Sequence, residues 1–398
     1  MATSVNREFM LVAACCRWPP SSQRDAAIAD AATAPMDWIR FLRVVKRHRV
    51  PGLVWNGLTR ARIEIPPDIA DMLEADAART ARSSLAFCAE TIRLQRLIDR
   101  AGLTCAFVKG VTLALLAYGN PGIRHAKDID MIVPDADLAA ICGLLAGAGY
   151  CRVKPPGTIS EAQLALCRTY DKDMAWRHET SGIELELHWR LSNISFLRHE
   201  SPDFTTMRSV EMTPSARLMT LPPSDLFIYL CVHGAAHGWC RLKWLADIHA
   251  LIADQPDDAI ESHYRLAKAK GVGRAVGQSL LLCSDLFGFR LPADLAAELG
   301  GSRAVTALAR LAHLCMTRRN AETEVHDLPF GTTLISLSHL LLAGGLRDWG
   351  AEVAHKGINL EDVLLLPLPR SLSFLYWFLR GPLWLFRRVP NGWASPVK

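Results

Sequence analysis

The 398-residue sequence lacks most of the short motifs that identify a catalytic chemistry directly. It contains no GxGxxG turn, no GxxxxGKS or GxxxxGKT loop and no GxSxG segment. It also lacks a cysteine–histidine pattern typical of a thiol nucleophile. The sequence therefore carries none of the usual signatures of dinucleotide-binding enzymes, P-loop proteins or serine hydrolases.

Long runs of apolar or of like-charged residues are also missing. The apolar stretch near the N-terminus is too short for a signal-peptide core. Arg370, Arg380 and Arg387 interrupt the apolar C-terminal segment before it reaches membrane-spanning length. The net charge of +5 is not concentrated in any Lys/Arg tract, so an anionic substrate is allowed but nucleic-acid binding is not strongly indicated. We therefore expect a cytoplasmic protein without a transmembrane segment.

Cysteine pairs at CxxC spacing are absent, although the chain has 11 cysteines. Several of them, including Cys142, Cys231 and Cys283, lie within apolar runs. Cysteines in such positions are typical of small core residues in a reducing compartment, so we expect no disulfide framework.

The pattern along the chain predicts three regions. Half of the residues are hydrophobic, which is enough for two or three cores in a chain of this length. Apolar residues recur at helical spacing up to about residue 100 and again beyond about residue 222. We predict an N-terminal helical domain over 1–100, a core domain over 101–200 and a C-terminal helical domain over 201–398.

Short apolar segments alternate with helical ones between residues 101 and 200. Strands are predicted at 103–110 and 128–133. Two further strands are predicted on either side of the turn at 180–182. Brief helical runs follow the first two strands. This order predicts an α+β fold with a small mixed β-sheet and helices on one side.

Carboxylates cluster on two of these strands. Asp128 and Asp130 stand two residues apart and therefore project from the same face of their strand. Glu184, Glu186 and His188 share one face of a later strand for the same reason. Adjacent carboxylates repel each other and are costly to bury without a cation. Three carboxylates on one sheet face would make an oxygen-rich site suited to Mg²⁺, and two ions could offset the paired aspartates.

The pair Lys109-Gly110 follows a strand and precedes a helix. A glycine at such a turn lets backbone N–H groups approach a phosphate, and a helix N-terminus favours an anion. The pair therefore indicates a phosphate-binding turn beside the carboxylates.

The segment FVKGVTLALLAYGNPGIRHAKDIDMIV, residues 107–133, resembles an uncharacterised nucleotidyltransferase family of the DNA polymerase β-like nucleotidyltransferase superfamily. Members of the superfamily carry a Gly-Gly or Gly-Ser turn, then Asp-x-Asp on the next strand, then a third carboxylate. In this family Lys-Gly replaces Gly-Ser, so Lys109 would substitute for the missing serine hydroxyl. The resemblance covers most of the chain, and its other matching positions are Arg124, Glu186, Leu187, His188, Trp189, His233, His237, Arg241, Lys243, Trp244 and Asp247.

The resemblance implies transfer of a nucleoside monophosphate from an NTP to a hydroxyl group, with two Mg²⁺ ions as cofactor. The acceptor, a small molecule or a peptide, is not identified by the sequence. Asp128, Asp130 and Glu186 would hold the metal, with Glu184 as the competitor for the third position. The nucleotide phosphates would be bound by Lys109, Gly110, Arg124, His188, His237 and Arg241.

Other interpretations remain open at this stage. The same fold with a degenerate site would bind a nucleotide or a protein partner without catalysis. The spacing of His233 and His237 matches zinc ligands, but Gly234 stands where zinc proteases carry glutamate, so helix packing or a contact at the site is favoured. A weak contact with a membrane surface is a further possibility for an aromatic C-terminal segment, whose members are Phe374, Tyr376, Trp377, Phe378, Trp384 and Phe386.

Overall fold

The computed structural model describes residues 6–193, 202–317, 321–327 and 331–388. The N-terminal part is helical, as predicted. Its helices are α1 (Arg7–Cys15), α2 (Ser22–Ala32), α3 (Trp38–His48), α4 (Pro51–Arg60) and α5 (Pro67–Arg100). Helix α3 begins after Asp37, whose side chain accepts a hydrogen bond from the backbone N–H of Arg40, and it ends at Arg49 in the left-handed conformation. Pro51 then begins α4, because proline fits the first position of a helix.

A mixed sheet and its covering helices follow. The elements are β1 (Ala106–Phe107), α6 (Gly110–Tyr118), β2 (Asp128–Ile132), α7 (Leu138–Gly147), β3 (Tyr150–Lys154), α8 (Glu161–Tyr170), β4 (Asp173–His178) and β5 (Glu184–His188). Among the described residues the sheet has the strand order β1-β2-β5-β4-β3. Strands β2 and β5 are parallel, and the other neighbouring pairs are antiparallel. The predicted α+β class with a small mixed sheet is confirmed.

The two faces of this sheet differ in polarity. Ile129 and Met131 of β2 lie beside Leu185 and Leu187 of β5, and all four are buried. Buried side chains of α5 and α7 share a core cluster with them. The alternate residues of the same strands are the charged ones, because strand side chains alternate between faces. One face therefore builds a core and leaves the other for polar side chains.

The C-terminal part begins with a hairpin that the sequence did not predict. It comprises β6 (Arg208–Thr213) and β7 (Ala216–Thr220). The helices after it are α9 (Pro223–Ala236), α10 (Leu242–Ile252), α11 (Asp257–Ala269), α12 (Gly273–Phe287), α13 (Ala293–Gly301), α14 (Arg303–Thr317), α15 (Gly331–Leu342), α16 (Leu346–Lys356), α17 (Leu360–Leu365) and α18 (Tyr376–Arg388).

Helices from both ends of the chain share one apolar core. Phe9 of α1 and Val54 of α4 belong to the same buried cluster as Leu245 of α10 and Leu280 of α12. The N-terminal helices therefore pack directly against the C-terminal ones. The division of the chain into three domains stays a prediction.

The aromatic C-terminal segment is partly exposed. Phe374, Trp377 and Phe378 are exposed, whereas Tyr376 is buried and its hydroxyl donates a hydrogen bond to the Leu366 carbonyl. The side chains of Trp384 and Phe386 lie outside the described residues. None of the helices in the described ranges has the length and apolar character needed to span a bilayer. Contact with a membrane surface stays a prediction.

Two leucines of α5 that differ in burial provide a test of the apolar core beneath the sheet. Leu94 is fully buried in the core beneath the sheet, whereas Leu85 on the same helix is 62% exposed. We expect Leu94→Ala to lower the free energy of unfolding by about 2 to 5 kcal/mol, because it removes buried apolar contacts and leaves a cavity. The matched control Leu85→Ala should stay within about 0.5 kcal/mol of the wild type. Urea unfolding followed by circular dichroism measures both, and equal losses would contradict the described packing.

Candidate active site

Charged side chains gather on the polar face of the sheet. In the parallel pair, Asp128 lies opposite Glu184 and Asp130 lies opposite Glu186. His188 follows two residues after Glu186 and projects from the same face. The strand register thus brings the predicted carboxylates together on neighbouring strands, as the sequence periodicity indicated.

Asp130 lies at the centre of this face and is only 4% exposed. Its Oδ1 atom is 2.6 Å from Nζ of Lys109 and 3.3 Å from Nε2 of His188. Burial alone would raise the pKa of Asp130, but the charge of Lys109 and the hydrogen bond from His188 hold that pKa well below its usual range. Burial likewise opposes the charge on Lys109, and the nearby Asp130 carboxylate nevertheless raises the pKa of that amine. The pair is therefore ionised at neutral pH.

His188 connects three carboxylates. Its Nε2 atom is 3.4 Å from Oε2 of Glu186 as well as close to Asp130, and its Nδ1 atom is 3.6 Å from Oδ2 of Asp173. Burial lowers the pKa of His188, but the hydrogen bonds to Asp130 and Glu186 help to outweigh it and the net effect raises that pKa. Lys172 contacts Asp173 on the far side. Positive and negative groups therefore alternate across the face, and the structure places His188 among carboxylates.

The donor set fits a metal ion. Asp130, Glu186 and His188 offer ligand atoms that lie within 4.8 Å of one another. Asp128 stands beside this group, and burial followed by the charges of Asp130 and Glu186 raises its pKa to about 6. A carboxyl group with a raised pKa of this origin is not fully compensated by the cations around it. Carboxylate oxygens are ligands that Mg²⁺ accepts, so the residues present are chemically suited to such an ion.

Glu184 occupies a different environment from Glu186. Its carboxylate is 2.6 Å from Nη2 of Arg177 and 3.2 Å from Nζ of Lys127. The hydrogen bond from Arg177, together with Lys127, lowers its pKa. Glu186 instead lines the cavity that contains Asp128 and Asp130, and Glu184 does not. The two candidates for the third metal-ligand position, Glu184 and Glu186, therefore lie in different surroundings.

A cavity of about 380 Å³ opens over the polar face. Its size is within the range of small-molecule sites. Cations from all three regions of the chain line it together with the carboxylates; they are Arg49, Lys109, Arg124, Lys127, Lys154, Lys172 and Lys243. Such a mixture suits a ligand that carries several negative charges and binds through a metal ion.

The Lys109-Gly110 turn lies at the edge of this cavity. Gly110 has a φ of +62° at the start of α6, a backbone conformation that side chains with a Cβ rarely adopt. The turn therefore favours glycine strongly and presents the first N–H groups of α6 beside Asp128 and Asp130. The Lys109 side chain, which lines the cavity, is held against Asp130.

Arg124 and Asp247 form a buried ion pair that joins two regions of the chain. Nε and Nη2 of Arg124 donate to Oδ1 and Oδ2 of Asp247 at 2.8 and 2.9 Å. The hydroxyl of Tyr118 also donates to Oδ1 of Asp247, at 2.9 Å. Burial opposes the charge of Arg124, but Asp247 raises its pKa. Arg124 lines the cavity while its guanidinium fork is held by Asp247 of α10.

The histidines of α9 and its C-terminal end pack as neutral rings. His233 and His237 have ring centroids 4.7 Å apart, and the His237 ring lies 5.2 Å from that of Trp244. Burial, followed by the charge of Lys109, lowers the pKa of His237 to about 4. His237 reaches the cavity wall in its neutral form, where it can still donate one hydrogen bond.

Two of the predicted phosphate-binding residues, His188 and Arg241, do not line the cavity as the structure describes it. His188 is buried among the carboxylates of the sheet, and Nη2 of Arg241 is 3.0 Å from Oε1 of Glu324. The other four, Lys109, Gly110, Arg124 and His237, do line it.

The cavity also contains cations that the sequence analysis did not identify. They are Arg49, Lys127, Lys154 and Lys172. The alternation of charges in Asp171-Lys172-Asp173, at the start of β4, was a signal that could have identified Lys172.

Comparison with models of protein families identifies a family for this chain. A family model described as "Uncharacterised nucleotidyltransferase" matches residues 34–288. This range extends from just before α3 to the end of α12 and includes every residue that lines the cavity. No curated protein matches the chain.

The Arg124–Asp247 pair can be tested by a double-mutant cycle. We expect Arg124→Met and Asp247→Leu each to lower the free energy of unfolding by about 3 to 5 kcal/mol, because each leaves a buried charge without its partner. The double variant should lose at least about 2 kcal/mol less than the sum of the two single losses. As a control, the same cycle is made with alanine substitutions at the surface ion pair of Glu261 and Arg265. The coupling free energy of this pair should be below about 1 kcal/mol. Additive losses at Arg124 and Asp247 would contradict the pairing.

Proposed function

The chain belongs to the uncharacterised nucleotidyltransferase family, and from this premise we propose that it transfers a nucleoside monophosphate from an NTP to a hydroxyl group with the aid of Mg²⁺. The observation that carries the proposal is the position of Asp128, Asp130 and Glu186 on one wall of a cation-lined cavity. Carboxylates suited to a metal and cations suited to phosphates are the two requirements of this chemistry.

The proposed reaction is an in-line displacement at the α-phosphorus. The acceptor hydroxyl oxygen forms a new bond to this phosphorus, and the bond from the phosphorus to the oxygen that bridges to the β-phosphate breaks. The electron pair of that bond leaves with pyrophosphate. The carboxylate of Glu186 takes the hydroxyl proton, and the hydrogen bond from His188 keeps the pKa of Glu186 low so that it is ionised before the transfer.

Asp128, Asp130 and Glu186 would hold two Mg²⁺ ions in this proposal. When bound, these ions would neutralise charge on the triphosphate and lower the pKa of the acceptor hydroxyl. The described contacts of Asp130 with Lys109 and His188 both involve Oδ1, which leaves its second oxygen as a ligand. The raised pKa of Asp128 supports the assignment, because a cation at this position would stabilise its ionised form.

The cations of the cavity would orient the triphosphate. Lys109 contacts Asp130, one of the proposed metal ligands, and the N–H groups of the Gly110 turn are available to a phosphate oxygen. Lys172 adds charge from another wall. Burial, followed by the charge of Arg124, lowers the pKa of Lys243 to about 7, so Lys243 is only partly charged at neutral pH until an anion lies beside it. His188 is a positioning residue in this scheme, because its ring nitrogens contact carboxylates.

Variants on one strand face test the assignment of the metal ligands. We expect Asp128→Asn to weaken Mg²⁺-dependent binding of a labelled NTP by about tenfold or more, because a metal ligand is lost. Glu186→Gln should also weaken it. Glu184→Gln is the matched control, because Glu184 lies opposite Asp128 on the same face but pairs with Arg177 and Lys127. The Glu184→Gln variant should bind the NTP with an affinity close to that of the wild type. Equilibrium dialysis measures the dissociation constants, and unchanged binding by Asp128→Asn would contradict the assignment.

A second candidate is a module of the same fold that binds a nucleotide without catalysis. It is favoured by the 2.6 Å contact between Lys109 and Asp130, because an ammonium group so close to a metal ligand can replace the ion electrostatically. In such a module Lys109 would balance Asp130 in place of a metal ion.

Removal of metal separates the two candidates. For the enzyme we expect EDTA to weaken NTP binding by about tenfold or more, because the triphosphate is bound through the ion. Added Mg²⁺ should restore the affinity, and excess Ca²⁺ provides a control for divalent charge without the octahedral preference. Titration of the full chain with a fluorescent NTP measures this. Equal affinity with and without EDTA would support the non-catalytic module.

A further inference from the structure

A second, larger cavity of about 690 Å³ adjoins the active-site cavity. We call it the basic groove. Helix α3 and the residue after it form one side of the groove, and α5 forms another. Six of its 14 lining residues are lysine or arginine: Arg43, Lys46, Arg47, Arg49, Arg79 and Lys127. Three are carboxylates: Asp76, Glu322 and Glu324.

The carboxylates of the basic groove are already neutralised by arginine. Asp76 is 2.6 Å from Nη1 of Arg79, and Glu322 is 3.3 Å from Nη1 of Arg43. Glu324 is paired with Arg241, as described above. The negative charges of the groove are therefore each matched by a cation, and the remaining basic residues are in excess.

This excess lies on α3 and its C-terminal turn. Within the described ranges, Lys46 and Arg49 have no carboxylate within ion-pair distance. Arg47 is buried and uses its guanidinium to donate to the carbonyls of Cys315, Met316 and Thr323, and the nearby Glu324 carboxylate partly offsets its charge. The two neighbouring positive charges of Lys46 and Arg49, which have no paired acid, create a field that attracts an anion.

The basic groove and the active-site cavity share part of their lining. Arg49, Ala126 and Lys127 line both spaces. Lys127 directly precedes Asp128, which lines the active-site cavity and begins the strand that carries the metal-binding aspartates. A molecule seated in the groove therefore lies next to the wall that carries these carboxylates.

We propose that the basic groove binds the acceptor, and that this acceptor carries a phosphate or carboxylate group recognised by Lys46 and Arg49. Arg79, which uses Nη1 to pair with Asp76, would add its remaining N–H groups as further donors. The proposal rests on the nucleotidyltransferase function proposed above. The anionic group lies in the groove and the acceptor hydroxyl passes Arg49 and Lys127 into the cavity, where it meets the α-phosphorus beside Glu186. The groove volume is that of a small-molecule site.

The experiment measures anion binding by the full chain when its nucleotide site is filled. The protein is saturated with Mg²⁺ and a non-hydrolysable NTP analogue, then titrated by calorimetry with inorganic phosphate or with acetate at constant ionic strength. We expect saturable binding of at least one anion by the wild type. Lys46→Gln/Arg79→Gln, which changes residues of the groove but not of the active-site cavity, should weaken it by about tenfold or more. The control Arg265→Gln/Lys268→Gln changes two exposed cations of α11 and should retain wild-type binding.

Each outcome decides the proposal. Tighter binding of phosphate supports a phosphorylated acceptor, and tighter binding of acetate supports a carboxylate-bearing one. Absence of saturable binding by the wild type, or equal affinity in Lys46→Gln/Arg79→Gln, would overturn the groove assignment. Failure of the wild type to bind the NTP analogue would instead contradict the proposed function. In that case the difference between wild type and Lys46→Gln/Arg79→Gln in nucleotide-free protein still decides whether the groove binds anions.

Discussion

The candidate site depends on one constraint, the burial of several carboxylates together on one face of a small sheet. Asp130 can be buried because Lys109 and His188 both contact its carboxylate. His188 in turn contacts Glu186 and Asp173, so each of these carboxylates has a partner nearby. Asp128 is the least compensated of the carboxylates on this face that the structure describes, as its raised pKa indicates. Asp128, at the wall of the cavity, is therefore the position where an added positive charge would be most stabilising.

The cavity exists because distant parts of the chain pack together. The Arg124–Asp247 pair fixes the loop before β2 to α10, and the shared apolar core fixes the N-terminal helices to α10 and α12. As a result, Arg49 from the N-terminal region and Lys243 from the C-terminal region face the same space as Lys109. The sheet supplies the acidic wall, and the regions before and after it in sequence add to the opposing charge.

Much of this could be predicted from periodicity. The alternation in β2 and in the β4–β5 hairpin identified both the strands and the face that carries Asp128, Asp130 and Glu186, because strand side chains repeat every two residues. Strand β3 was missed because it lies at the sheet edge and is mostly exposed, so it has no strong apolar pattern. Arg49 was missed because a cation at the end of a helix is an ordinary surface feature until packing places it beside other charges. The partner of Arg241 could not be predicted either, since ion pairs between distant segments leave no local pattern.

The anchoring of Arg47 has a consequence for how such a protein can diversify. Through the carbonyls of Cys315, Met316 and Thr323, this side chain ties the segment that carries Glu322 and Glu324 to α3 by contacts with backbone atoms. Side chains on that segment can therefore change without loss of this anchor. The charge on this side of the basic groove, set by Glu322 and Glu324, can thus change while the backbone that carries it and the distant sheet stay as they are.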